Sequence, residues 1–376
     1  MERRIIIVVA LACLLGTVQL LAQPKAASTA TKPAARAYQA KLEEWKDMLR
    51  KLQSLRASYV KASPNEAVSI RVEWNETITM GDDLLSELRG TAKLAFVESP
   101  NEDRQLGRFL MKLIEDATGA DRYEIVADLT ETMIKNGSDH RILYDYGGIA
   151  QFAIHDFEKA EEYFAKAKQL NVLSHMGINY QGEVKDYITF WKEEQEIREQ
   201  EAAADDLPRV KLVTSKGEII VELFENEAPE TVGNFISLVE NGFYEDNVFH
   251  RVLRNFVSQA GSADGDGNGG PGYTIYSEAF KPNARKHFRG SLSMAISEGG
   301  PNSGNSQFFI TFRPTANLNG KHTVFGRVIK GLEILPEIQR INPDEPDPRI
   351  TPDRILQAEV LRSTPGHVYV PNKVRN

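Results

Sequence analysis

RVKLVTSKGEIIVELF, Arg209–Phe224, reads as two extended runs separated by turn residues. Alternation of apolar and polar residues at a period of two marks a strand with one buried face. Arg209–Thr214 and Glu218–Phe224 are therefore predicted strands, with Ser215–Lys216–Gly217 as the hairpin turn. Ala228–Asn241 follows as a helix entered through Pro229. Beyond it come short strand-like runs divided by Gly-rich turns. Many strands, few helices and frequent glycine predict a closed β-barrel with capping helices. It spans residues 208–364, with a tail at 365–376.

Upstream the pattern changes. WKEEQEIREQEAAADD, Trp191–Asp206, is highly charged and predicts a solvated linker helix over 192–207, ended by Pro208. Residues 38–191 predict an all-α domain. Leu42, Trp45, Leu49 and Leu52 fall at steps of three and four, one apolar face of a helix. Further helices are expected at Ser69–Leu88 and Arg104–Ala117, with Gly119, Gly137 and Ser138–Asp139 as punctuation. Tyr144, Gly148, Phe157, Ala160, Phe164 and Ala167 then form a hairpin pattern at about 141–170. Their spacing resembles a tetratricopeptide repeat, in which small residues let two helices approach closely. One period of about 34 residues earlier, Tyr123, Val126, Thr130 and Met133 form a degenerate echo. A generic helical hairpin accounts for the same residues. A peptide groove normally needs several stacked repeats.

Residues 1–22 carry Arg3 and Arg4 ahead of the apolar run Ile5–Leu21, with Ala22 at its end. That is the layout of a secretory signal, and it predicts an exported, periplasmic protein. An uncleaved membrane anchor or a lipid on Cys13 are the alternatives. Residues 23–37, rich in Ala, Lys, Pro, Ser and Thr, predict a flexible spacer. Cys13 is the single cysteine of the 376 residues, so a disulfide framework and a Cys-based metal site are excluded. The net charge of −8 argues against nucleic acid as a partner.

Four further blocks lie in order within the barrel region. They are TSKGEIIVELFENEAPETVGNFISLVENGFY (Thr214–Tyr244), FHRVLRNFVSQAG (Phe249–Gly261), GSLSMAISEGGPNSGNSQFFIT (Gly290–Thr311) and LNGKHTVFGRV (Leu318–Val328). In content, order and spacing they resemble the cyclophilins over about 150 residues. The resemblance implies a peptidyl-prolyl cis-trans isomerase acting on unfolded or partly folded proline-containing polypeptides. It calls for no cofactor and no metal.

The chemistry explains the residue types. Amide resonance holds an X–Pro bond near planarity, behind a barrier of about 18–20 kcal/mol. Rotation breaks no bond, so a catalyst needs only to bind the twisted imide better than the planar one. The resemblance implies that Arg251 supplies a permanently charged donor to the prolyl nitrogen and carbonyl. Gln259, at even spacing along one strand and hence on the same face, would hold the substrate backbone and Arg251. Phe256, Phe309, Leu318 and His322 match the walls of a proline pocket, and Val257 stands where the family usually has Met. Ala295, Ile296 and Gln307 match the adjoining backbone groove, Ile296 through its main chain. Asn317 occupies a position that often holds Trp, which implies weak binding of cyclosporin. Glu298 and Gly299 look like a small insertion beside that groove.

Asp264, Asp266 and Asn268 look superficially like a calcium loop. The twelfth position is Ile275 rather than Glu, and Pro271 interrupts the run. Two further readings compete with a folding enzyme. One is a proline-segment binding module with the helical domain docking a protein partner. The other is a chaperone whose helical domain holds unfolded chains.

Overall fold

The computed structural model describes residues 32–374. The expected leader, Cys13 and most of the spacer lie outside them. Among the described residues no helix is long and apolar enough to cross a membrane.

Helix α1 (Pro33–Tyr59) begins inside the expected spacer. Proline at the first helical position sacrifices no hydrogen bond. The Glu98 carboxylate accepts the N–H groups of Ala34 and Ala35, each at 3.2 Å, and so caps the helix. That cap lies 64 positions from Ala34, so no local pattern announces it. Helix α2 (Pro64–Glu98) extends beyond the expected Ser69–Leu88, because Ser63 and Glu66 form a capping box ahead of it. It runs antiparallel to α1, with Lys41 meeting Glu87 and Lys51 meeting Glu73. Leu42, Trp45, Leu49 and Leu52 form the buried face of α1. Helices α3 (Arg104–Gly119) and α4 (Tyr123–Lys135) follow.

The chain divides into two compact units. One holds the described residues to Asp116 together with Ile125–Leu143. The other holds Ala117–Glu124 and everything described from Tyr144 onward. The expected domain limit near 191–208 therefore does not separate compact bodies, since the last helices belong with the barrel.

Those helices are α5 (Leu143–Ala153), α6 (Phe157–Gln169) and α7 (His175–Ala204). The α5–α6 hairpin closes over Gly148. A Cβ there would stand 2.6 Å from two ring carbons of Phe164. Alanine is the better helix former by about 1 kcal/mol, but overpacking costs about 1–3 kcal/mol, so the clash wins. Gly148→Ala is expected to lower stability by up to about 2 kcal/mol, measured by urea unfolding of the full chain. An unchanged midpoint would mean that Phe164 swings aside freely.

The charged run at 192–207 is not a solvated linker. It forms the last half of α7, and Glu194 and Glu201 are buried. Arg285 donates from Nε to Glu194 Oε2 (2.9 Å), from Nη2 to Glu194 Oε1 (2.8 Å) and from Nη1 to Glu201 Oε1 (2.5 Å). Arg327 Nη1 lies 2.7 Å from Glu201 Oε2, close enough for an ion pair although not aligned for a hydrogen bond. Its Nη2 donates to Glu222 Oε1 at 2.6 Å. Each buried charge has an opposite partner on the barrel, which is the condition for burying it at all.

The barrel region is one antiparallel sheet of nine strands that curls into a half-barrel. Strands β1 (Arg209–Thr214) and β2 (Gly217–Leu223) form the expected hairpin. Gly217 adopts φ +138°, a conformation an L side chain rarely takes, and pairs with Thr214 across the turn. Strands β3 (Asn247–Val248), β4 (Arg251–Val252), β5 (Val257–Ala260), β6 (Ser291–Met294), β7 (Phe308–Thr311), β8 (Val324–Lys330) and β9 (Arg354–Arg362) complete it. The order is β3-β9-β1-β2-β8-β6-β7-β5-β4. Only Phe249 and His250 separate the two edge strands in the chain, so the curl brings the edges together without a ladder between them. Helix α8 (Pro229–Glu240) packs Val232, Phe235, Ile236 and Val239 into the core within the curl, against Phe308 and Phe325 among others.

Candidate active site

Arg251 and Gln259 do not share a strand. The chain turns between them at Leu253–Phe256, where Asn255 adopts φ +54°. Arg251 on β4 then stands directly opposite Gln259 on β5. Cross-strand partners project to the same face, so the two side chains are neighbours for a different reason than even spacing. The row continues across the sheet. Gln259 pairs with Phe309 on β7, and Phe309 pairs with Ser293 on β6.

The remaining side chains attach to this row. The Arg251 guanidinium lies 5.6 Å from the ring centre of Phe256, within cation–π range. Burial draws the Arg251 pKa down and the charge of Asp344 opposes the shift; the group stays protonated at neutral pH. Gln259 Nε2 donates to Gln307 Oε1 (3.0 Å), and Gln307 Nε2 donates to the Gly267 carbonyl (2.9 Å). This relay fixes which way both amides point. Gly267 belongs to the loop of Asp264, Asp266 and Asn268, where Asp266 is occupied by hydrogen bonds from Asn268.

Phe309 and His322 meet edge to face, with ring centres 5.3 Å apart. His322 Nδ1–H donates to the Met294 carbonyl at 3.0 Å. Burial holds its pKa below the ordinary histidine value, so the ring is neutral and Nε2 keeps its lone pair. Leu318 is half-buried on a 3-10 turn (Ala316–Leu318), and its carbonyl accepts the His322 N–H. Ala295 and Ile296 are half-buried just beyond β6, where Ala295 N–H donates to the Gln307 carbonyl at 2.9 Å. Arg251, Phe256, Gln259, Gln307, Phe309 and His322 are thus brought together by direct contacts or strand pairing. Val257 is 1% exposed and stands two residues before Gln259 on β5, so its side chain projects to the same face. Asn317 is exposed on the 3-10 turn. The insertion at Glu298–Gly299 is a surface loop closed by Ser303, whose Oγ accepts the Ser297 N–H at 2.8 Å.

The sequence reading missed His287. Its ring stacks parallel to Phe309, with centres 6.0 Å apart and planes 11° from parallel, and it is fully buried. Nothing in Lys286–His287–Phe288 distinguishes this histidine by pattern, because the contact is between residues distant along the chain.

A family-wide sequence pattern described as "Cyclophilin type peptidyl-prolyl cis-trans isomerase/CLD" matches residues 209–360. The peptidyl-prolyl cis-trans isomerase ppi1 of Schizosaccharomyces pombe is 40% identical over 157 residues, 41% of this chain and 100% of that protein. A peptidyl-prolyl cis-trans isomerase of Helicobacter pylori is 45% identical over 148 residues, 39% of this chain and 87% of that one. A cyclophilin type isomerase of Cryptosporidium parvum, known as a crystal structure, is 30% identical, with 42% of this chain and 99% of that one covered and a TM-score of 0.38. A whole isomerase of another organism thus aligns end to end with the barrel portion, and on that similarity the chain belongs to the cyclophilin type peptidyl-prolyl cis-trans isomerases.

Proposed function

We propose that Arg251 drives the isomerisation by donating to the prolyl nitrogen and carbonyl as the imide twists, while the ring rests against Phe309, Phe256, Leu318 and His322. The observation that carries this reading is the cross-strand row Arg251–Gln259–Phe309, which puts a fixed cation beside an apolar wall. As resonance is lost, the prolyl nitrogen becomes pyramidal and more basic. A donor already in place then gains most at the twisted geometry. Gln259 and Gln307, locked to each other, hold the flanking peptide. We take the clients to be exported proteins, on the strength of the leader pattern at 1–22. Uncatalysed isomerisation takes tens to hundreds of seconds, slow enough to limit folding after translocation. The helical hairpin at 141–170 remains, in this reading, tetratricopeptide-like and open to a protein partner.

The test is cis–trans exchange of an Xaa-Pro peptide, followed by NMR exchange spectroscopy. Wild type should accelerate exchange. Phe309→Ala should raise KM about tenfold or more, since a buried ring contact contributes about 1.5–3 kcal/mol. A wild type that leaves exchange at the uncatalysed rate would favour the proline-segment binding module instead.

A further inference from the structure

The strip His287–Phe288–Arg289 lies outside every strand and helix. Its position therefore depends on the contacts its residues make. On one side His287 backs Phe309. Its Nδ1–H donates to Asn319 Oδ1 at 2.9 Å, and the same oxygen accepts the His287 backbone N–H at 2.9 Å. An oxygen that accepts both bonds assigns the proton to Nδ1. Nε2 is then left to accept the Ser293 hydroxyl at 3.0 Å. The same hydroxyl also lies 3.0 Å from Thr323 O, a carbonyl that can accept it beside the Met294 N–H, so its one proton is shared between the two acceptors. Burial pushes the imidazole pKa down to about 3, consistent with a single ring proton.

On the other side the strip is held by helical chain. The Tyr187 hydroxyl, on α7, donates to the His287 carbonyl at 2.9 Å, and Thr315 N–H donates to the same carbonyl at 3.1 Å. The Phe288 ring packs among His155, Tyr187 and Trp191, with centres 5.6, 5.7 and 5.1 Å away. Arg289 N–H donates to His155 Nε2 at 3.0 Å. The turn that carries Phe256 is held in the same way. Asp121 Oδ1 accepts the Asn255 N–H at 2.8 Å. Arg313 Nε donates to the Asn255 carbonyl at 2.6 Å while its guanidinium lies over the Tyr180 ring of α7 at 4.7 Å.

We propose that Tyr187 is a positioning residue of the isomerase: through the His287 carbonyl it sets the imidazole behind Phe309, so the barrel and helix α7 build the proline-binding wall together. The proposal rests on Phe309 being that wall. Tyr187 touches no substrate. Its hydroxyl acts only by fixing where the strip, and therefore the ring behind Phe309, can sit. Among the described residues it is a link the barrel alone does not contain.

The experiment measures kcat, KM and Tm of the full chain with an Ala-Pro peptide for four variants. Tyr187→Phe keeps the ring in its aromatic cluster and removes one hydrogen bond. It is expected to raise KM about threefold to tenfold, with kcat within about twofold. Asn319→Ala, which frees the same imidazole from the opposite side, is expected to raise KM similarly. Gly148→Ala destabilises the hairpin without touching the strip, so its KM should stay within about twofold while its Tm falls. An unchanged KM in Tyr187→Phe or in Asn319→Ala overturns the proposal. A rise in Gly148→Ala as large as in Tyr187→Phe also overturns it, because general loosening then explains the effect. Phe309→Ala separates the premises: if its KM is unchanged, the pocket reading fails; if it rises while Tyr187→Phe does not, only the positioning role fails.

Discussion

Arg251→Ala is expected to lower kcat/KM about 10²–10³-fold, with a Tm within a few degrees of wild type. The magnitude is that of removing one preorganised donor from a developing charge, about 3–4 kcal/mol. The loss should fall mainly on kcat. In the proposed mechanism Arg251 interacts most strongly with the twisted imide, whereas the Phe309 wall holds the proline ring in both planar and twisted forms and so governs KM. Arg251→Lys should not restore the rate. An ammonium carries the charge but not the planar fork of donors, and it cannot lie against Phe256 in the same way. Exchange kinetics on an Xaa-Pro peptide give the rates, and a thermal melt gives the fold control. Full activity in Arg251→Ala would remove this side chain from the mechanism and place the catalysis on other groups of the pocket.

Arg285→Ala carries the second large effect, on stability. Its guanidinium is almost wholly buried, bonded to Glu194 and Glu201 and lying 3.9 Å over the Phe224 ring. Removing Arg285 strips Glu194 and Glu201 of the cation they share and leaves Arg198 and Arg327 as partial compensation, at a cost of about 3–5 kcal/mol. In a unit of this size that is a fall in Tm of roughly 6–20 °C. The effect depends on pH. Burial pushes the Glu194 carboxyl up, but hydrogen bonds and charge from Arg285, then from Arg198, reverse this and hold it below the ordinary glutamate range. A carboxylate depressed in the folded state contributes its stability at neutral pH and loses it as pH falls through the lowered value. In the variant, protonation instead relieves a buried carboxylate that has lost one of its two cations. The Tm gap between wild type and Arg285→Ala should therefore be full at pH 7 and narrow below about pH 4. A gap under 2 °C at pH 7 would mean that water solvates these carboxylates after the substitution.

These two sites differ in how far the sequence revealed them. Arg251, Gln259 and Phe309 were legible through four ordered blocks of resemblance, although their geometry was not. Even spacing suggested one strand, whereas Asn255 turns the chain back and makes Arg251 and Gln259 cross-strand partners. The ionic layer was misread entirely. Trp191–Asp206 has the composition of a solvated helix, and the charge count along a helix cannot reveal partners 91 residues away, the separation between Glu194 and Arg285. Helix α1 was begun too late for the same reason, because its cap is Glu98.

The sequence by itself determined the elements whose cause is local: the alternating runs of β1 and β2, the helix entered through Pro229, the close hairpin at Gly148, and the residue types that isomerase chemistry requires. Periodicity, turn residues and side-chain chemistry act over a few neighbours, so they are written along the chain. Tertiary structure alone decided which charges are buried, which histidine backs Phe309, and that α7 packs with the barrel. Burial and pairing arise from residues made adjacent only when the chain closes on itself, and no window of sequence contains both partners.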